Sequence, residues 1–109
     1  MTVLNSPPRA GSASFVRPAA APDRVRVMVV DDSAVVRGLI IGMLGNDPQI
    51  DIVASVANGA IAVDRLARSR DVEVIVLDIE MPVMDGLTAL GKLLAIDPTV
   101  QVVMASTLT

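Results

Sequence analysis

Four acidic residues and one hydroxyl stand where short aliphatic runs stop. Asp31 and Asp32 follow Val25 to Val30, Asp78 follows Val72 to Leu77 with Glu80 two positions on, and Ser106 follows Val100 to Ala105. In an open parallel sheet, ligands sit beyond the carboxyl ends of the strands, where the strand order reverses. If the first and third strands are neighbours, the carboxylates of Asp31 or Asp32 and of Asp78 meet in one crevice. Crowded anions raise one another's pKa unless something positive lies among them. The chain has neither His nor Cys, so an all-oxygen site selects a hard cation, and Mg2+ in an octahedral shell that keeps several waters suits it best. Glu80 is expected to face solvent, with its backbone carbonyl in reach of a cation held at Asp78.

Such an assembly points to phosphate. A divalent cation beside a carboxylate grips a phosphoryl group by its oxygens and leaves the carboxylate oxygen in line to attack. Asp78 would then become an acyl phosphate. Ser106 could donate a hydrogen bond to an arriving phosphate oxygen and report it by shifting a loop. Plainer readings stay open for single residues: Asp31-Asp32-Ser33 can be a strand stop with a helix cap, and Ser106-Thr107 a turn. Asp78 resists one, because a lone acid at a buried strand end carries a desolvation cost with no structural return.

The elements that must position these groups alternate. Val25 to Val30 reads as a strand buried on both faces, the mark of a parallel sheet. Ser33 caps a helix whose stripe holds Val36, Ile40, Met43 and Leu44, widened by Val35 and Leu39, and Gly45, Asn46 and Pro48 close it. Ile50 to Val56 is a second strand, and Ala57 to Gly59 turn the chain into a helix carrying Ala62, Val63, Leu66 and Ala67 on one face. Arg65, Arg68 and Arg70 gather at its end, where they suit the helix dipole. Val72 to Leu77 is the third strand. Met81-Pro82 and Asp85-Gly86 read as loop punctuation, with Pro82 fixing a bend and Gly86 giving close approach or φ freedom. Asp85 caps a helix with Leu87, Leu90 and Leu94 at helical spacing, and Val100 to Ala105 is the fourth strand. Right-handed crossovers then place helices on both faces of one sheet. The expected fold is α/β: a flavodoxin-like, doubly wound parallel sheet of order 2-1-3-4.

Composition sets the outer limits. The 109 residues leave room for one core, and 52% hydrophobic against 19% charged residues supply the apolar surface to build it. The first 24 positions, rich in Pro, Ala, Ser and Arg, are expected to form a disordered tail, with residues 25–109 as the domain. Absence of His and Cys excludes zinc fingers, thiol nucleophiles, disulfides and the Ser-His-Asp triad. A net charge of −3 and a single aromatic, Phe15, argue against direct nucleic-acid binding. No aliphatic run approaches the roughly 20 residues of a membrane span, so a soluble, cytoplasmic location is expected.

The motifs VVDDS, VLDIEMPVMDGL and VVMAST, in order between Val29 and Thr107, resemble those of the receiver domain of two-component response regulators. More narrowly, LDIEMPVMDGL followed by VVMASTLT resembles the regulatory domain of the chemotaxis protein-glutamate methylesterase family. The resemblance covers everything after the tail. It implies that Asp78 is the phosphoacceptor, that Asp31, Asp32 and Asp78 hold Mg2+ directly or through water with the Glu80 carbonyl completing the protein ligands, and that Ser106 is the switch hydroxyl. It also implies a histidine kinase as phosphoryl donor and a downstream methylesterase domain whose activity the receiver controls.

Receivers of that kind carry a fifth strand, opening with a lysine that pairs with the phosphate, and two further helices. The only lysine here, Lys92, falls in a helix away from the site. On this reading the domain stops short, phosphorylation is expected to be weak, and no ester hydrolysis is expected of these residues alone. An open sheet edge beside the fourth strand is expected to favour self-association. Two other readings stay in play: a Mg2+-dependent phosphohydrolase with Asp78 as nucleophile and Glu80 as its acid-base partner, and an interaction module that kept the fold without the chemistry.

Overall fold

The computed structural model describes residues 24–81 and 83–105. The expected tail therefore lies outside the described residues but for Arg24, as do Pro82, Ser106 and Thr107. Seven elements follow in strict alternation: β1 (Val25–Val30), α1 (Ala34–Leu44), β2 (Ile50–Val56), α2 (Gly59–Arg68), β3 (Val74–Asp78), α3 (Gly86–Ile96) and β4 (Gln101–Ala105). All strand pairs are parallel and the order is β2-β1-β3-β4, the doubly wound arrangement expected from the alternation. Among the described residues β2 and β4 are the outer strands.

Two apolar layers flank the sheet. On one face Met28, Val30, Ile75 and Leu77 pack with Ala62 and Leu66 of α2 and Ala89 and Leu93 of α3. On the other, Val27, Val29, Val74, Val76 and Val103 pack with Ile40, Ile41 and Leu44 of α1. β1 and β3 contribute alternate residues to both layers, which is why they read as unbroken aliphatic runs.

β2 breaks its own alternation. Val27 is paired with Ile52 but Met28 with Ala54, so Val53 is an extra residue, a β-bulge. Ile50 and Ile52 face the α1 layer, whereas Ala54 and Val56 face the α2/α3 layer. Beyond the bulge Ser55, the partner of Val29, is turned to the α1 side.

The caps are as expected at Ser33 and Asp85, whose side chains accept from the N–H groups of Val36 and Thr88. The helix faces differ in part. In α1 the half-buried apolar residues are Val36, Ile40, Ile41 and Leu44, while Met43 joins Val35 and Leu39 in solvent. In α3 the buried line is Gly86, Ala89 and Leu93, and Leu87 is exposed. Close packing of α3 on α2 explains that rotation. A Cβ on Gly59 would stand 2.9 Å from Cβ of Ala89, a separation only small residues tolerate.

At the end of the sheet where the strands begin, charges are paired. Arg65, in the last turn of α2, makes a two-pronged contact with Asp71 at 2.9 and 3.1 Å, and Ser69 adds a hydroxyl bond to the same carboxylate. The guanidinium holds the Asp71 carboxyl below the usual carboxylate range. Arg26 lies 3.5 Å from Glu73, and Arg68 pairs with Asp64 one turn back along the helix.

Candidate functional site

Pairing of Val30 with Leu77 makes the next residues of β1 and β3 neighbours, and both are aspartates. Asp31 is 2% exposed and Asp78 4% exposed. Asp32 lies beside them in solvent. One carboxylate oxygen from each of Asp31, Asp32 and Asp78 falls within 4.8 Å of the others, the convergence anticipated from the strand order. Glu80 points its side chain to solvent, as expected, and is not in that group.

Local bonds orient the two buried acids. The Asp31 N–H continues the ladder to the Val56 carbonyl at 3.2 Å, and its Oδ1 accepts the Ser33 N–H at 2.8 Å. Asp78 Oδ1 accepts the Glu80 N–H at 3.2 Å. The chain beyond Asp78 is held by Ile79, whose N–H reaches the Ala105 carbonyl and whose own carbonyl accepts from Gly86. Met81, 7% exposed, anchors the β3–α3 loop in the core, so it does more than punctuate the turn. Gly86 is required by close approach: a Cβ there would stand 2.4 Å from the Asp78 carbonyl oxygen.

Burial pushes the Asp78 carboxyl above the usual carboxylate range, and the charges of Asp31, Asp32 and Glu80 push it further, while the Glu80 N–H bond opposes them. A cluster of this kind is unfavourable by itself. Two buried carboxylates and one exposed one, with no nitrogen or sulfur donor among them, fit a hard divalent cation with part of its water shell. Three carboxylates against a dication leave one net negative charge, so the pocket can neutralise most of its own repulsion on binding.

One participant escaped the sequence reading. Arg37, in the second turn of α1, donates from Nη1 to the Asp31 carbonyl at 2.7 Å and from Nε to Ser55 Oγ at 3.1 Å. The available signal was an arginine six positions after Asp31 on the helix that Ser33 caps. Nothing in the pattern of β2 announced the bulge that brings Ser55 to it.

Comparison with known proteins agrees with this geometry. The family description "Response regulator receiver domain" matches residues 27–109. A protein-glutamate methylesterase/protein-glutamine glutaminase of Rhodospirillum rubrum is 66% identical over 85 residues, covering 78% of this chain and 22% of the relative. One of a group 2 operon in Rhodospirillum centenum is 59% identical over 99 residues, covering 91% of this chain and 25% of the relative. The chain thus spans about a quarter of the length of these relatives. Among solved structures, the response regulator domain of Thermotoga maritima CheB superposes with a TM-score of 0.71 at 36% identity, over 79% of this chain and 63% of that one. The CheX-CheY-BeF3-Mg2+ complex of Borrelia burgdorferi gives 0.68 at 30% identity, over 77% and 63%.

Proposed function

This chain belongs to the response regulator receiver family, and on that premise we propose that it accepts a phosphoryl group on Asp78 as the regulatory module of a chemotaxis methylesterase. The observation that carries the proposal is the meeting of Asp31, Asp32 and Asp78 within 4.8 Å at the carboxyl ends of neighbouring strands. Asp31, Asp32, Asp78 and the Glu80 carbonyl would hold Mg2+, as the BeF3-Mg2+ complex of a relative supports. The bound cation supplies charge neutralisation for an arriving phosphoryl group.

The residues do the rest. An Asp78 carboxylate oxygen attacks phosphorus, the bond from phosphorus to the donor's leaving group breaks, and that group departs with the electron pair. The Glu80 N–H bond to Oδ1 restrains the carboxylate so that its other oxygen is the nucleophile. Ser106 takes the role of switch hydroxyl by its place after β4 in the sequence. A histidine kinase would supply the phosphoryl group in the cytoplasm, and a methylesterase domain of the parent protein would respond. The same reading includes self-association of two copies through the β4 edge; sedimentation as a monomer at concentrations on the order of tens of micromolar removes that part.

Incubation with acetyl phosphate and Mg2+ tests the proposal by intact-mass spectrometry. The expected result is a single phosphoryl adduct on part of the chains and never a second, labile to hydroxylamine and absent from Asp78→Asn. Sustained release of phosphate over many turnovers from simple esters would instead establish the phosphohydrolase reading. No adduct under any condition leaves the interaction module.

A further inference from the structure

We propose that Arg37 is a positioning residue for the carboxylate cluster, acting through the backbone of Asp31 and tied down by Ser55. This rests on the reading that the cluster holds a divalent cation. β1 ends at Val30, and although the Asp31 N–H still finds the Val56 carbonyl, the chain then leaves the sheet. The Asp31 carbonyl, belonging to a residue 2% exposed, must find its partner elsewhere. Arg37 supplies it at 2.7 Å.

The arrangement is a closed turn. Ser33 donates its N–H to Asp31 Oδ1, Ser33 O accepts the Arg37 N–H at 2.9 Å, and the Arg37 side chain folds back onto Asp31 O. Both ends of the Asp31 peptide backbone and one carboxylate oxygen are therefore fixed. The carboxylate is thereby held where one of its oxygens lies within 4.8 Å of those of Asp32 and Asp78. A guanidinium can do this where an ammonium would do less, because its fork reaches two acceptors in fixed geometry.

β2 provides the second acceptor through the bulge at Val53. Simple alternation would put Ser55 on the face opposite Ile50 and Ile52. The extra residue returns it to their face, where α1 lies and where Arg37 Nε reaches its hydroxyl at 3.1 Å. Bulges characteristically re-aim one side chain in this way. The irregularity in β2 and the arginine on α1 are thus two parts of one clamp on the cation site. Groups that orient a ligand without touching the metal change metal affinity by about 10- to 100-fold when removed.

Isothermal titration of Mg2+ into the full 109-residue chain tests the clamp, with thermal unfolding in chelator as the companion measurement. Arg37→Met is expected to weaken Mg2+ binding about tenfold, and Arg37→Lys, which keeps one bond to the carbonyl, to recover part of the loss. Should Arg37→Met lower the unfolding temperature in chelator yet bind Mg2+ as the parent does, the residue is only structural and the inference is overturned. If Arg37→Met does not fold, Arg37→Lys and Ser55→Ala decide: several-fold weaker binding in both supports the clamp, and unchanged binding in either removes it. A parent chain whose Mg2+ binding is absent, or indifferent to Asp78→Asn, takes down the cation reading and the clamp together. A failure confined to the Arg37 and Ser55 variants takes down the clamp alone.

Discussion

A carboxylate 4% exposed, with two others within 4.8 Å, is a destabilised group whose cost falls on the folded state alone. Burial is the larger cause of its raised pKa and the neighbouring charges come after it. Replacing Asp78 by Asn keeps the shape and removes the charge. In chelator, Asp78→Asn is therefore expected to be more stable than the parent by about 1 kcal/mol, measured by urea denaturation. Adding Mg2+ should reverse the order, because the parent gains binding free energy that the variant has largely lost. Greater stability of the parent in chelator would show that Asp78 is not strained by its neighbours. Asp78 was legible in the sequence because a lone acid after a buried aliphatic run has few structural uses, and Asp31 and Asp32 because the strand order expected from the alternation brings them to it. Arg37 was not, since its partners are a backbone carbonyl and a hydroxyl on another strand, and neither leaves a trace in local spacing.

Among the elements, strands were read more completely than helix faces. β1 and β2 begin and end where the aliphatic runs do, β3 starts two residues later and runs one further than its run, and β4 starts one later, because a parallel ladder extends as far as side chains can be buried on both sides. α3 was read on Leu87, Leu90 and Leu94, yet its buried line runs through Gly86, Ala89 and Leu93. Small residues hide in a hydrophobic-periodicity argument, and here helix-to-helix and helix-to-strand approach selects them. The bulge in β2 was equally hidden, since IDIVASV has apolar residues in both phases. Glycines give the element-scale test. Gly86→Ala would drive a Cβ to 2.4 Å from the Asp78 carbonyl oxygen and 2.7 Å from Ile79 Cα, both backbone atoms that cannot swing aside. A loss of about 2 kcal/mol or more is expected, with weakened Mg2+ binding as the end of β3 shifts. Gly38→Ala meets nothing within 4 Å on the exposed side of α1 and is expected to gain about 0.5–1 kcal/mol from helix propensity. Equal effects in denaturation experiments would mean that α3 does not sit against β3 as described.

Across the whole molecule, two aspartates at opposite ends of the sheet, Asp78 and Asp71, respond to protons in opposite ways. At the carboxyl ends of the strands the Asp78 pKa is raised, so its contribution favours the folded state below the usual carboxylate range and is lost as pH rises through its folded value. At the other end the Asp71 pKa is lowered by Arg65, so its contribution is present above the usual carboxylate range and is lost as pH falls through its folded value. Acid unfolding should therefore be driven from the paired end and resisted from the cluster. Asp71 is 40% exposed on its side chain and Arg65 26%, so solvent screening limits the pair to about 1 kcal/mol or less. Asp71→Asn is expected to lower stability by that amount at neutral pH, and the gap should close as pH falls below the carboxylate range. Measured by denaturation across pH in chelator, a gap that stays constant down to the most acid condition would mean that the loss comes from packing, and that the ion pair contributes nothing to the pH dependence. A gap that closes leaves the cluster end as the part of the fold that protons favour and that, in neutral solution, has most to gain from a cation.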